Sequence, residues 1–227
     1  MTSVSSAERS PRRARKFAAK REAVLDAALA IVIADGLAGL TLGKVAKALD
    51  VAVGGLYRYV PSKEALITAL QQRAVSRFGE RLQAHLDRSE PHDHVGQLRR
   101  VLEPFRFYVR SREDAPDDHR LMDVMLSSLD PSISEAQARE VEAVLGPILA
   151  LARAGLETAA EAGALQPGDA RARTLVLWGA THGLGHLRSR DRLESPAHHV
   201  DALYDVLFSS LLRGFGAAAK DVQAALG

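Results

Sequence analysis

At 227 residues, 47% of them apolar but only 5% aromatic, the chain can bury a core in one large domain or two small ones, and its Ala- and Leu-rich composition favours helices. The absence of cysteine excludes a disulfide framework and thiolate metal sites. The net charge of +2 conceals an asymmetry: residues 1–66 hold 11 Lys and Arg against 6 Asp and Glu, while residues 67–227 hold 19 against 22, so a basic N-terminal quarter is joined to a mildly acidic body.

Residues 1–16 are polar, with a proline and an Arg cluster, and are expected to be a disordered basic arm. Arg12, Arg13, Arg15 and Lys16 are either a solvated tail or an arm that lies along DNA. The segment lacks the apolar stretch of a secretory signal. Residues 17–35 then read as a first long helix with Val24, Leu25, Ala28, Leu29, Val32 and Ile33 as its buried stripe. Asp35-Gly36 ends it, with Gly36 taking a left-handed cap. Lys20 and Arg21 are within reach of phosphate. The longest apolar run, residues 27–34, is far short of the roughly 20 residues a membrane span needs.

Residues 41–66 (TLGKVAKALDVAVGGLYRYVPSKEAL) read as helix, turn, helix and the start of a third helix. Leu42, Val45, Ala46 and Leu49 share one helical face, and Thr41 stands where its hydroxyl caps the helix. After a turn at Asp50-Val51, a second short helix is expected over 52–59, with Val53 or Leu56 inward beside Val60. Its outer face would carry Val53, Gly55, Tyr57 or Arg58, and Tyr59. Pro61 ends it and Ser62 caps the next helix. Two short helices joined by a tight turn, the second exposing small and polar groups, place a helix in a DNA major groove. Gly54 and Gly55 let the backbone approach DNA closely, and Tyr57 and Tyr59 can donate hydroxyls to phosphates. Lys63 lies in the first turn of a helix whose free N–H groups attract anions. An ordinary turn with core aromatics is the competing reading.

A long helix follows over 62–88, with Leu66, Leu70, Phe78, Leu82 and Leu86 at helical spacing. Further helices are expected at about 94–112, interrupted by Pro104, at 116–129, at 133–163 with a kink at Gly146-Pro147, at 169–190 capped by Asp169, and from Pro196 to about 212. The tail from Gly214 adds at most a short frayed helix.

The stretch 17–66 resembles the DNA-binding signature of the tetracycline-repressor (TetR) family of bacterial regulators. The resemblance is carried by Arg21, Val24, Leu25, Ala27, Ala28, Leu29, Gly36, Thr41, Val45, Ala46, Leu49, Val51, Gly54, Leu56, Tyr57 and Tyr59, and by Ser62-Lys63-Glu64-Ala65-Leu66. Asp50 stands where the family has its turn glycine, Ala52 replaces the capping Ser or Thr, and Gly55 replaces a Thr or Ser that reaches base or phosphate. The resemblance implies an all-α chain. Its parts would be a helix-turn-helix DNA-binding domain at 17–66 and a helical ligand-binding and dimerisation domain at 67–227.

It also implies a cytoplasmic homodimeric repressor, without cofactor, enzymatic activity or membrane contact, that binds a palindromic operator in double-stranded DNA and is released by an unknown small molecule. Thr41, Tyr57, Tyr59 and Lys63 would grip phosphates. Lys44, Val53 and Arg58 would touch base edges, Val53 through a thymine methyl. With Gly55 mute, DNA shape would carry a larger share of the specificity. The body would dimerise through its last two helices. There Gly179 and Gly183, four apart, leave a smooth groove, with His186, Leu203, Leu207 and Leu211 beside it. Trp178, His182 and Gly183 resemble the W-x-x-x-H-G pattern of one TetR subgroup.

Phe105, Val109, Met122, Met125, Leu126, Leu145, Leu149, Trp178 and His182 are the pocket candidates, each equally readable as plain core. His182 and His186 share a helical face, but no third ligand or H-E-x-x-H pattern accompanies them, and no metal site is assigned. A helical enzyme or metal protein whose N-terminal helices only pack is the alternative; the sequence offers it no nucleophile elbow, phosphate loop or paired carboxylates. A regulator answering to a partner protein is a third reading.

Overall fold

The computed structural model describes residues 6–88, 90–127 and 135–227, and every regular element among them is helical. The chain divides into two compact units: residues up to Ala74 together with Leu121–Met125, and Val75–Arg120 with Leu126–Gly227.

The first unit is built on α1 (Ser6–Gly39), α2 (Leu42–Ala48), a short 3-10 turn at Val53–Gly55, and the first half of α3 (Lys63–Leu86). Its core is Val24, Leu25, Ala28 and Val32 of α1 with Leu40, Val45, Ala46, Leu56, Val60, Leu66 and Leu70, all buried. Most of the expected stripe of α1 is inside. Ile33 is 50% exposed instead, because it stands about 100° around the helix from Val32. Helix begins at Ser6, where disorder was expected over 1–16. The run Arg12-Arg13-Ala14-Arg15-Lys16 consists of strong helix formers that extend α1 outward, and Pro11 costs it one hydrogen bond. Gly36 interrupts α1 at φ +72, ψ 174. That is the extended region open to glycine, and not the left-handed helical cap that was expected. Arg73 of α3 holds Glu22 and Asp26 of α1 at 3.3 and 2.7 Å.

The second unit centres on α4 (His94–Asp114), capped by Asp93, whose Oδ1 accepts from the Gly96 N–H at 2.6 Å. Leu98, Val101, Leu102 and Phe105 pack with Ala152, Leu156 and Ala159 of α6 (Glu135–Glu161) and Leu177 of α7 (Ala170–Gly185). Tyr204, Phe208 and Leu212 of α8 (Val200–Gly214) and Val222 and Ala225 of α9 (Ala219–Leu226) complete this core. The chain end is thus a packed helix and not a frayed one. Pro104 leaves the Arg100 carbonyl without its helical donor. Here α6 crosses closely, since a Cβ on Gly155 would lie 3.6 Å from that oxygen. The remaining helix, α5 (Pro116–Ser127), connects α4 to α6.

Two boundaries differ from expectation. After α7 the chain tightens into a 3-10 segment, His186–Leu193, where an α-helix to 190 was expected; Gly183 and Gly185 weaken the α-helix at that point. Pro196–His198 is a separate 3-10 turn, because His199 is extended (φ −64, ψ 150); α8 starts at Val200, whose N–H bonds Asp191 Oδ1 at 3.0 Å. The stretch Glu142–Glu161 of α6 is long and apolar enough to cross a bilayer, at a mean hydropathy of 1.3, although Gly146, Pro147, Arg153 and Glu157 interrupt its apolar residues. Ala152, Leu156 and Ala159 of that stretch are buried in the core, and it carries an Arg153–Glu157 pair.

Candidate nucleic-acid interface and body site

The Thr41 hydroxyl caps α2, accepting from the Lys44 N–H at 3.2 Å. At the other end, the Val51 N–H bonds Ala46 O at 3.0 Å and the Asp50 N–H bonds Lys47 O at 3.2 Å. These two bonds close the helix in a Schellman motif, with Asp50 at the position that requires positive φ, here +52. The aspartate in place of the turn glycine therefore keeps the glycine's backbone.

The helix expected over 52–59 is not an α-helix. Val53–Gly55 is a 3-10 turn, held by Gly55 N–H to Ala52 O at 2.8 Å and Leu56 N–H to Val53 O at 3.0 Å, and further turns run through Tyr59. Three features account for this: Ala52 offers no side-chain cap, Val53 is β-branched, and two successive glycines each cost a helix about 1 kcal/mol. Leu56 and Val60 are buried and anchor the turn, so Val53 is the outward alternative, 39% exposed. Tyr57 is 54% exposed, and the space around a Cβ at Gly54 or Gly55 is open. The turn thus leaves Val53, Gly54 and Tyr57 exposed, with open space beside both glycines.

The other expected contact residues are partly engaged. Lys44 Nζ lies 2.6 Å from Asp35 Oδ2. The Arg58 guanidinium stacks 4.7 Å from the centre of the Tyr59 ring. That ring also meets Phe17 of α1 at 5.0 Å, a neighbour that sequence reasoning missed because 42 positions separate the two residues. Ser62 caps α3, its Oγ accepting from the Ala65 N–H at 3.1 Å. Beside half-buried Lys63, the Glu64 carboxyl is held below its ordinary range, first by its own backbone N–H and then by Ser62. The anion-attracting end of α3 thus already holds a carboxylate.

In the second unit, His182 joins several of the pocket candidates. Its Nδ1 lies 3.0 Å from the Tyr108 hydroxyl and its Nε2 lies 3.1 Å from His186 Nε2, while its ring stacks with Trp178 at 6.1 Å. Phe105 is buried, and Val109 and Trp178 pack on the same core. Leu145 and Leu149 are half-buried, and Leu149 borders a shallow cleft of about 100 Å³ with Gly146, Arg153, Arg171 and Thr174. Met122 is buried and groups with the first unit. The side chains of Met125 and Leu126 lie outside the described residues.

Sequence reasoning missed Tyr108 as a polar partner, and with it the neighbouring Ser111–His119 pair. Ser111 Oγ donates to Tyr108 O at 2.6 Å and therefore accepts from His119 Nδ1 at 2.8 Å. It also missed a larger open cleft of about 500 Å³ at the α3–α4 corner, lined by polar residues including His85, Arg99, Arg100 and Glu103. His85 and Glu103 pair there at 2.7 Å.

On the outer side of α7 and α8, Gly179 and Gly183 face open space and His186 is exposed. Leu203, Leu207 and Leu211 are half-buried, whereas Val206 is 62% exposed and Val176 and Leu187 are exposed as well.

Residues 24–70 match the family model of bacterial regulatory proteins of the tetR family. The HTH-type transcriptional repressor KstR of Mycolicibacterium smegmatis is 43% identical over 70 residues, 31% of this chain and 32% of KstR; the match spans about a third of that relative. Among solved structures, the transcriptional regulator FadR from Bacillus subtilis in complex with stearoyl-CoA is similar, with a TM-score of 0.60 at 16% identity over 85% of this chain and 98% of that one. A bacterial regulatory protein in the tetR family from Rhodococcus RHA1 has a TM-score of 0.58 at 20% identity, covering 87% and 97%. The Thr41-capped helix, the turn and the Ser62-capped helix are therefore the N-terminal helix-turn-helix domain of the tetR family, carried on a chain with the all-helical fold of tetR-type regulators.

Proposed function

We propose that the chain is a ligand-responsive transcriptional repressor, acting in the cytoplasm as a homodimer on a palindromic operator. The observation that carries this reading is the exposed turn of Val53, Gly54, Gly55 and Tyr57, open beside its glycines and set between two capped helices in a stretch that matches the tetR family. Thr41, Tyr57, Tyr59 and Lys63 hold phosphates. Val53 meets a thymine methyl, and Lys44 and Arg58 reach bases after leaving Asp35 and the Tyr59 ring. The turn carries few base-reading groups, so DNA shape supplies much of the preference.

In the body, His182 is the polar anchor of an effector site that includes Phe105, Val109 and Trp178, with Leu145 and Leu149 as further candidate lining. The exposed α7–α8 face, with Gly179, Gly183 and His186, is the dimer seam, and the W-x-x-x-H-G subgroup is the narrower affiliation. Acyl-CoA, the class bound by the Bacillus subtilis structure, is the first effector to test. An effector releases DNA only to the extent that it prefers one body conformation. Among the described residues, no observation favours the enzyme and metal-protein reading.

The test is random-site selection with the full-length chain, followed by binding to the selected duplex across a salt series. One short palindrome occupied by two chains, with a steep salt slope, supports the proposal. Weak, sequence-blind binding overturns it.

A further inference from the structure

We propose that the N-terminal extension of α1 is a second, sequence-independent DNA clamp, which grips phosphates beside those held by Tyr59 through Arg13, Lys20 and Arg21. This rests on the DNA-binding reading above and deepens it. Phe17 fixes the geometry, since its ring sits 5.0 Å from that of Tyr59 and so places α1 against the end of the recognition turn. On a helix, residues three and four positions away share a face. For Phe17 these are Arg13 at i−4, Lys20 at i+3 and Arg21 at i+4. Arg13 and Lys20 are exposed and Arg21 is half-buried. Arg13 lies about 6 Å along the helix axis from Phe17, roughly two base-pair steps of B-DNA.

Among the described residues the charge on this face is unopposed. Of the acids of α1 that follow Phe17, Glu22 and Asp26 come first, and they lie toward the opposite face, where Arg73 holds both. Among the described residues, neither Arg13, Lys20 nor Arg21 has an ion pair. Arg12 and Arg15 point away from the Phe17 face, about 140° and 160° around the helix, and serve as internal controls. Polyanionic DNA is the partner that fits a cationic stripe continuous with a phosphate-gripping tyrosine.

The experiment compares the full-length chain with the double variants R13Q/K20Q and R12Q/R15Q, on both its selected operator and an unrelated duplex of about 30 base pairs. Glutamine keeps the helix propensity, and circular dichroism checks the fold. Each lost phosphate contact lowers the slope of log affinity against log salt by about 0.9, so R13Q/K20Q is expected to lose about 1.8. That slope change amounts to roughly a tenfold smaller affinity loss between 50 and 200 mM salt. The drop is expected on both DNAs, with R12Q/R15Q losing less than half as much. Equal losses in the two variants, or an unchanged slope in R13Q/K20Q, would overturn the clamp even where the operator is bound specifically. A slope drop confined to R13Q/K20Q, in a chain that prefers no sequence, would keep the clamp and sink the operator reading. Absence of DNA binding by the parent chain overturns both.

Discussion

Asp50 sits at φ +52, a conformation that costs an ordinary L-residue about 1–2 kcal/mol and that Asp tolerates only better than most. Asp50→Gly is expected to raise the stability of the first unit by roughly 0.5–1 kcal/mol, the relief of strain being offset in part by a looser unfolded chain. Calorimetry should then show a melting point higher by a few degrees; a fall would mean that the carboxylate makes a compensating bond. Glu64 carries a pH dependence. Its folded-state pKa is lowered, so its carboxylate favours the folded state above the ordinary carboxylate range, and that contribution is lost as pH falls through the folded value. Glu64→Gln should flatten the acid side of the melting-temperature profile, from the ordinary carboxylate range downward. It should also strengthen DNA binding, because a carboxylate leaves the helix end offered to phosphate. A steeper acid limb or weaker binding would contradict this. The departure at residue 50 was legible in the sequence, but its backbone angle was not, because positive φ depends on the Schellman closure behind it.

At the scale of elements, capping residues and apolar spacing located the reader's framework. Thr41, Ser62 and Asp169 cap where their positions before apolar runs placed them, since an N-cap needs only the residues that immediately follow it. The second short helix was misread because the helix-turn-helix pattern outweighed local chemistry: the uncapped Ala52 and the Gly54-Gly55 pair were visible, and they decide for a 3-10 turn. Gly54→Ala with Gly55→Ala should restore about 1–2 kcal/mol of helix propensity, since neither new methyl meets a neighbour. Higher ellipticity and melting temperature with weaker operator binding would show that the glycines serve close approach to DNA. A gain in both stability and affinity would show that the turn is simply underwound. Tyr57 lies mostly in solvent, so Tyr57→Phe should leave stability unchanged and weaken all DNA sequences by about 0.5–1.5 kcal/mol in a salt-series assay.

Across the whole molecule, the pocket candidates were the least legible part, because pocket and core draw on the same apolar residues. Only side-chain geometry singled out Tyr108, 74 positions from His182, as the partner of that ring. Gly183 faces open space, so Gly183→Leu should leave the fold of one chain intact and convert a dimer to a monomer in light scattering. A dimer that persists would move the seam elsewhere. The same bare face of α7 and α8, where Val206 is exposed, would have a consequence in the cell under the proposed pairing. A regulator that must pair before reading both halves of an operator responds to the square of its own copy number at low abundance. Under that proposal, halving its synthesis would lower operator occupancy about fourfold, and the affinity of the seam, as much as that of the reader, would set how sharply the gene responds.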